Sequence, residues 1–294
     1  MTNNGFLGVV QFIHPGNEHK VDKSGWTPWN LGMHARKYMA AESRYVLQDG
    51  SIEYGESLFW GEWEGPSRRI FSWEPSGELP KNLVIPHFPG HPRAVAGLQN
   101  TDPYVFGDGF RYTLCKQVKR NGQSTFLANL LPGTLVLFGS KLGGRFVLDT
   151  AFVVADPVIR HSRQTWREET ADVSDTYKAM ALEPMYFDPN TIDGVDYSLY
   201  TGAADTRPHN DMYSFFPSIP VTNVPLPFAR PTITLEGVVN PKLMMGQRRT
   251  QMSGSEIKAC WDSVVRQVHE AGLNLGVFAA EPGLSSVSDH LWPH

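Results

Sequence analysis

Residues 6–13 (FLGVVQFI) form an apolar, β-branched run closed by His14-Pro15-Gly16, a pattern that predicts a buried strand. Residues 31–41 put Leu31, Ala35, Tyr38 and Met39 on one helical face, with Asn30 placed to cap it, and so predict a helix. Residues 57–64 (SLFWGEWE) alternate instead. Leu58, Trp60 and Glu62 fall on one side and Phe59 and Trp63 on the other, the two-residue period of a strand. Further on, residues 111–118, 134–140 and 145–155 read as three strands separated by Gly-rich or Pro-Gly turns. That spacing suits antiparallel strands curling into a sheet or partial barrel.

Residues 172–182 predict a helix that stops before Pro184. A proline-rich texture then begins, including Pro208, Pro217, Pro220, Pro225, Pro227 and Pro231, and sets a soft boundary. The expected organisation is a β-rich domain over 1–184 and a smaller α+β subdomain over 185–294. The clearest helix follows Ser253-x-x-Glu256, a capping box. Ile257, Trp261, Val264, Val265 and Val268 form its apolar stripe, and Gly272 stands at its left-handed end. Residues 273–278 then read as a strand. The expected fold class is α+β, with an antiparallel or mixed sheet or partial barrel as core and few helices, including this C-terminal amphipathic one.

Composition narrows the function classes. The chain has 294 residues, 41% apolar and 19% charged, with a formal net charge of −4. Disordered polymers and coiled coils carry far more charge, and a protein that coats nucleic acid wholesale is strongly basic. The charge is uneven, however. Between residues 104 and 150 Arg111, Lys116, Lys119, Arg120, Lys141 and Arg145 face only Asp108 and Asp149, which permits a local anion-binding face. Cys115 and Cys260 are the only cysteines and sit in apolar runs, so a disulfide framework and a CxxC zinc site are excluded. No apolar run reaches membrane-span length and the first residues lack a signal-peptide pattern, from which a cytoplasmic protein without a membrane partner is expected.

Candidate chemistry gathers early. His14-Pro-Gly-Asn-Glu18-His19 follows the first strand, where a turn holds polar groups on a rigid platform, and His with Glu supplies general acid–base groups near neutral pH. His87-Phe-Pro-Gly-His91 and Gln99-Asn100-Thr-Asp102 add further polar groups, and Asn side chains can read a base edge. Together with His14 and His19, the pair His87 and His91 could ligate a divalent metal, but no carboxylate completes a familiar spacing and no metal is assigned. Trp26, Trp29, Trp60, Trp63 and Trp73 read mainly as core, with some free to stack on a flat ligand. There is no Gly-x-Gly-x-x-Gly, Walker loop or Gly-x-Ser-x-Gly elbow, and the cofactor is left open.

Phe110-Arg-Tyr-Thr113-Leu114-Cys115-Lys116, followed by Leu131-Pro-Gly133-Thr-Leu-Val-Leu-Phe-Gly139-Ser, resembles a pattern in the nucleotide-modification-associated (Nmad) domain families. Those families are linked to systems that modify or police phage DNA bases. Gln117 stands where they favour Pro, and Thr134 where Asp is common. The resemblance spans about forty-five residues of the chain. It implies a β-rich core and a nucleotide-related role, and it carries over no catalytic residue. A second stretch, Leu199-Tyr200-Thr201-Gly202-Ala203 with Met212-Tyr-Ser214, is similar to strands of ADP-ribosyltransferases. Thr201 replaces their Arg, and Glu236, expected on a strand, would be the acidic residue.

The leading expectation is therefore recognition or processing of a nucleotide or modified nucleic-acid base. His14, Glu18, His19 and Asp102 would be catalytic, and His87, His91, Asn100, Arg111, Lys116 and Arg120 would bind ligand. The alternatives are an ADP-ribosyl-type transferase using NAD and a non-catalytic nucleic-acid-binding module. The oligomeric state is left open.

Overall fold

The structure is a computed structural model that describes residues 5–17, 35–74, 76–87, 100–187, 191–221 and 225–283, with only the backbone of 15–17. Its strands in chain order are β1 (Gly8–Asn17), β2 (Lys37–Val46), β3 (Ile52–Gly61), β4 (Ser67–Ser72), β5 (Asn82–Pro86), β6 (Arg111–Tyr112), β7 (Leu135–Leu142), β8 (Arg145–Val153), β9 (Ile159–His161), β10 (Tyr197–Thr201), β11 (Phe216–Pro220), β12 (Gly246–Gln251) and β13 (Asn274–Ala279). The helices are short, α1 (Trp166–Glu169), α2 (Asp175–Tyr177) and α3 (Glu183–Phe187), except for α4 (Gly254–Glu270). The fold class is α+β with mixed sheets, as the patterning predicts.

Three sheets carry these strands, in the orders β12-β1-β7-β8, β6-β10-β9 and β13-β11-β3-β2-β5-β4. β1 runs parallel to β7 and antiparallel to β12, and β7 and β8 form an antiparallel pair. Strands from either side of residue 184 thus share sheets. The apolar interior likewise mixes Phe12, Phe138 and Trp63 with Tyr200, Phe216 and Ala279.

Residues 37–46 form a strand where the apolar spacing suggested a helix. β2 pairs with β3 along its whole length, and its alternate residues enter two different cores. Tyr38 and Ala40 pack with Leu58 and Trp60, while Met39 and Ala41 pack with Phe59 and Trp63. A strand buried on both faces has no polar side to reveal its period, so adjacent apolar residues such as Tyr38 and Met39 fit either reading. β3 keeps the predicted alternation for the same reason.

The strand expected over 111–118 ends at Tyr112. Asp102 takes the N–H groups of Thr113 and Cys115, at 3.0 and 2.8 Å, and residues 114–117 turn, with Gln117 N donating to Leu114 O at 3.1 Å. The helix expected over 172–182 begins at Asp175 and runs on past Pro184 through a widened π-type turn, Lys178–Leu182. Pro184 has no N–H to offer the carbonyl of Met180, one turn back. Thr101 N donates to that carbonyl instead, at 3.0 Å, and this pins the segment leading into Asp102.

α4 follows its sequence signals. Ser253 and Glu256 close the capping box, Ile257, Trp261, Val264 and Val268 are buried, and Gly272 has φ of +75°. β13 lies where residues 273–278 predicted a strand. Glu236 is in an exposed turn rather than on a strand. No helix among the described residues is long and apolar enough to cross a membrane.

Candidate functional site

Segments distant in sequence meet at the end of β1. β1 delivers His14, β3 runs out into Glu62, and the residue before β2 is Arg36. Glu62 Oε2 lies 3.3 Å from His14 Nδ1 and also pairs with the Arg36 guanidinium. Arg36 Nη2 donates to the His14 carbonyl at 2.5 Å, and its Nε sits 2.9 Å from Asp149 Oδ2 on β8. Arg230 completes the row. Its Nη1 donates to Asp149 Oδ1 at 3.0 Å and to Ser140 Oγ at 3.2 Å, and its guanidinium lies 4.8 Å from the Trp60 ring centre. Arg36, Glu62, Asp149 and Arg230 are all at most 4% exposed. Buried charges persist where each has an opposite partner, so this row fixes Glu62 and the His14 backbone together.

The other imidazole nitrogen faces a thiol. His14 Nε2 is 3.9 Å from Cys115 Sγ. The Glu62 carboxylate 3.3 Å from Nδ1 favours a proton on that nitrogen, a tautomer that leaves Nε2 with its lone pair toward the thiol. Thiol, imidazole and carboxylate therefore stand in a row as Cys115, His14 and Glu62.

The turn that presents Cys115 is held on several sides. Asp102 grips it through the two amide bonds given above. Gln117 bonds both backbone groups of Ser198, its Nε2 donating at 2.7 Å and its Oε1 accepting at 2.8 Å. Lys116, next to the thiol, adopts φ of +63°, a left-handed conformation that an L side chain resists. Asn100 Oδ1 accepts from the thiol at 3.8 Å, while its Nδ2, in a residue 7% exposed, has no hydrogen-bond partner among the described residues.

Electrostatics keep the sulfur protonated at rest. Burial pushes the Cys115 thiol well above its ordinary range, and the charges of Asp102 and Glu62 push it further. Burial also raises the Asp102 carboxyl to about 7, opposed by its two amide bonds.

Of the residues singled out from sequence, His14, Asn100 and Asp102 meet here. Lys116 is adjacent but exposed, and Arg120 is exposed on the 118–124 hairpin. Arg111 instead lines a separate cavity of about 270 Å³ with Tyr104, Asp108 and Glu281. His87, exposed at the end of β5, makes no hydrogen bond or ring contact with His14 among the described residues. Glu18, His19 and His91 lie outside the described residues, as do Trp26 and Trp29. Trp60 and Trp63 are core, and no group of three His, Cys, Asp or Glu suited to a metal occurs among the described residues. Tyr200 and Ser214 are buried and bonded internally, the first to Leu130 N and Leu127 O and the second to Val153 N.

Sequence reasoning set Cys115 aside because of its apolar neighbours and treated Glu62 as one face of a strand. A usable signal was present. Glu62 stands at an interior position of a Trp-rich alternating strand, where an acid needs a buried partner. Comparison with protein-family models, with curated proteins and with solved structures finds no match.

Proposed function

We propose that the protein is an enzyme of covalent catalysis, a transferase or hydrolase in which Cys115 attacks an electrophilic carbon of a nucleotide or nucleic-acid base. The observation that carries the chemistry is the relay from Cys115 Sγ through His14 to Glu62. The substrate class rests on the resemblance of residues 110–139, the stretch that contains the Cys115 turn.

The steps follow from these positions. As the S–C bond forms at a carbon doubly bonded to oxygen or nitrogen, the thiol proton moves to His14 Nε2. The π electrons move to the heteroatom. Glu62, 3.3 Å from Nδ1, is placed to stabilise the imidazolium as it forms. Asn100 Nδ2–H, on the side chain whose Oδ1 lies 3.8 Å from the sulfur, serves the charge that develops on the heteroatom. Collapse of the adduct expels the leaving group, which takes the proton from His14. Water or an acceptor, deprotonated by His14, then attacks the same carbon and returns the thiol.

The test compares alkylation of Cys115 and Cys260 by iodoacetamide, read by mass spectrometry, in the parent and in His14→Ala. Proton transfer to a positioned base contributes about 10²- to 10⁴-fold, so labelling of Cys115 is expected to slow at least tenfold in the variant. Cys260 labelling should stay unchanged. A Cys115 rate indifferent to His14 would sink the proposal, since a merely buried thiol reacts slowly with or without an imidazole.

A further inference from the structure

A second site lies where β12 borders β1. A cleft of about 670 Å³ is lined by Gly5, Phe6, Ser124, Thr125, Phe126, Asn129, Arg249 and Gln251, with no acidic side chain among the described residues that line it. Arg249 projects from β12 with its guanidinium 4.8 Å from the Phe126 ring centre and 5.8 Å from that of Phe6. The two rings brace each other edge to face at 5.3 Å. Stacking on aromatic faces orients the planar guanidinium and leaves its N–H edge free. Beside the cleft, the exposed Arg160 on β9 donates to Oδ1 of the lining residue Asn129 at 2.8 Å. Neither arginine has a carboxylate within ion-pair reach among the described residues.

Positive charge continues along the rim. Ser124 bridges back to Val118, closing the hairpin that exposes Lys119 and Arg120. Thr125 Oγ1 donates to Lys116 O at 2.7 Å, which joins the cleft wall to the turn bearing Cys115. In a chain of net charge −4, two acid-free arginines facing neutral hydroxyl and amide groups form a selective feature rather than a general basic coat.

We infer that this cleft binds a phosphate ester, with Arg249 and Arg160 as its charged ligands and Ser124 as a hydroxyl donor. Guanidinium groups match phosphate oxygens in pairs, and the Ser124 hydroxyl adds a further donor. The phosphate belongs either to a free nucleotide or to the backbone of a nucleic-acid strand. The inference deepens the nucleotide-directed reading and rests on it for that choice of ligand. It assigns phosphate to a place different from Arg111, which has Asp108 and Glu281 about it.

The test measures binding of two probes, AMP and a fluorescein-labelled 12-nucleotide single-stranded DNA, across a series of salt concentrations. The parent chain is compared with Arg249→Ala/Arg160→Ala and with Arg249→Lys. The double variant should bind at least one probe tenfold or more weakly, and Arg249→Lys, which keeps the charge, should lose less. For the DNA, the slope of log K against log salt should flatten by about 0.7 for each phosphate contact removed. Loss for AMP assigns the site to a phosphomonoester, and loss for DNA alone assigns it to a strand. No binding of either probe, or equal binding by parent and double variant at unchanged thermal stability, overturns the inference. The thiol assay reads a different signal, so an inert Cys115 with arginine-dependent binding sinks the covalent mechanism and leaves this site standing, and the converse holds.

Discussion

Two buried titratable residues share Thr113. Its N–H goes to Asp102, and its Oγ1 lies 2.8 Å from His161 Nε2, whose Nδ1 meets the Tyr186 hydroxyl at 2.5 Å. Burial lowers His161 from 6.5 to about 4 and raises Asp102 from 3.8 to about 7. The consequences for stability have opposite signs. For His161 the unfolded chain binds the extra proton between pH 4 and 6.5, so its contribution is intact above 6.5 and is lost as pH falls. For Asp102 the folded chain holds the extra proton between 3.8 and 7, so stability is lost as pH rises. The two slopes cancel over most of that window. His161→Gln keeps an amide able to bond both Thr113 and Tyr186 but does not titrate, so it removes one slope. The variant is expected to lose about 3 kcal/mol between pH 4 and 7 that the parent does not lose. Urea unfolding at pH 4, 5.5 and 7 checks this, and an equally flat profile in the variant would refute it. Above pH 7 the charged Asp102 also holds the thiol of Cys115 more firmly protonated.

At the scale of elements, Pro184 does two jobs that its sequence position does not announce. A proline after residues 172–182 reads as a stop, yet the helical path continues and the carbonyl of Met180 is released to Thr101. Pro184→Ala restores an N–H that competes for that carbonyl. Amide exchange at Thr101 should then speed up at least fivefold, read by hydrogen–deuterium exchange; unchanged protection would mean that Thr101 is held by other contacts. The elements legible in the sequence are those whose signal is local. Ser253, Glu256 and Gly272 mark both ends of α4 without help from the rest of the chain, and the β7–β8 pair is bounded by its own glycines. What escaped is set by distant partners. β2 is a strand because β3 and β5 flank it, the 111–118 strand breaks because Asp102 takes its amides, and Glu62 matters because Arg36 and His14 reach it. His14, Asn100 and Asp102 stood out as polar groups beside turns, whereas Cys115 looked like core until His14 was seen across from it.

At the scale of the molecule, one row of buried charge joins the halves of the chain. Asp149 sits between Arg36 and Arg230 and is 1% exposed. Asp149→Ala leaves two guanidinium groups facing a gap, and removing one partner from a buried ionic group costs about 3–5 kcal/mol. Chemical denaturation should register a loss of that size, together with faster chemical modification of the site as Arg36 loosens its hold on His14. A loss below about 1 kcal/mol would show that the row is dispensable. The order in which its members leave the ribosome has its own consequence. His14, Arg36, Glu62 and Cys115 emerge early, but β1 borders β12, β2 borders β13, and the charge on Asp149 waits for Arg230. A nascent chain therefore displays the Cys115 sulfur before β12, β13 and Arg230 exist to close the surrounding structure.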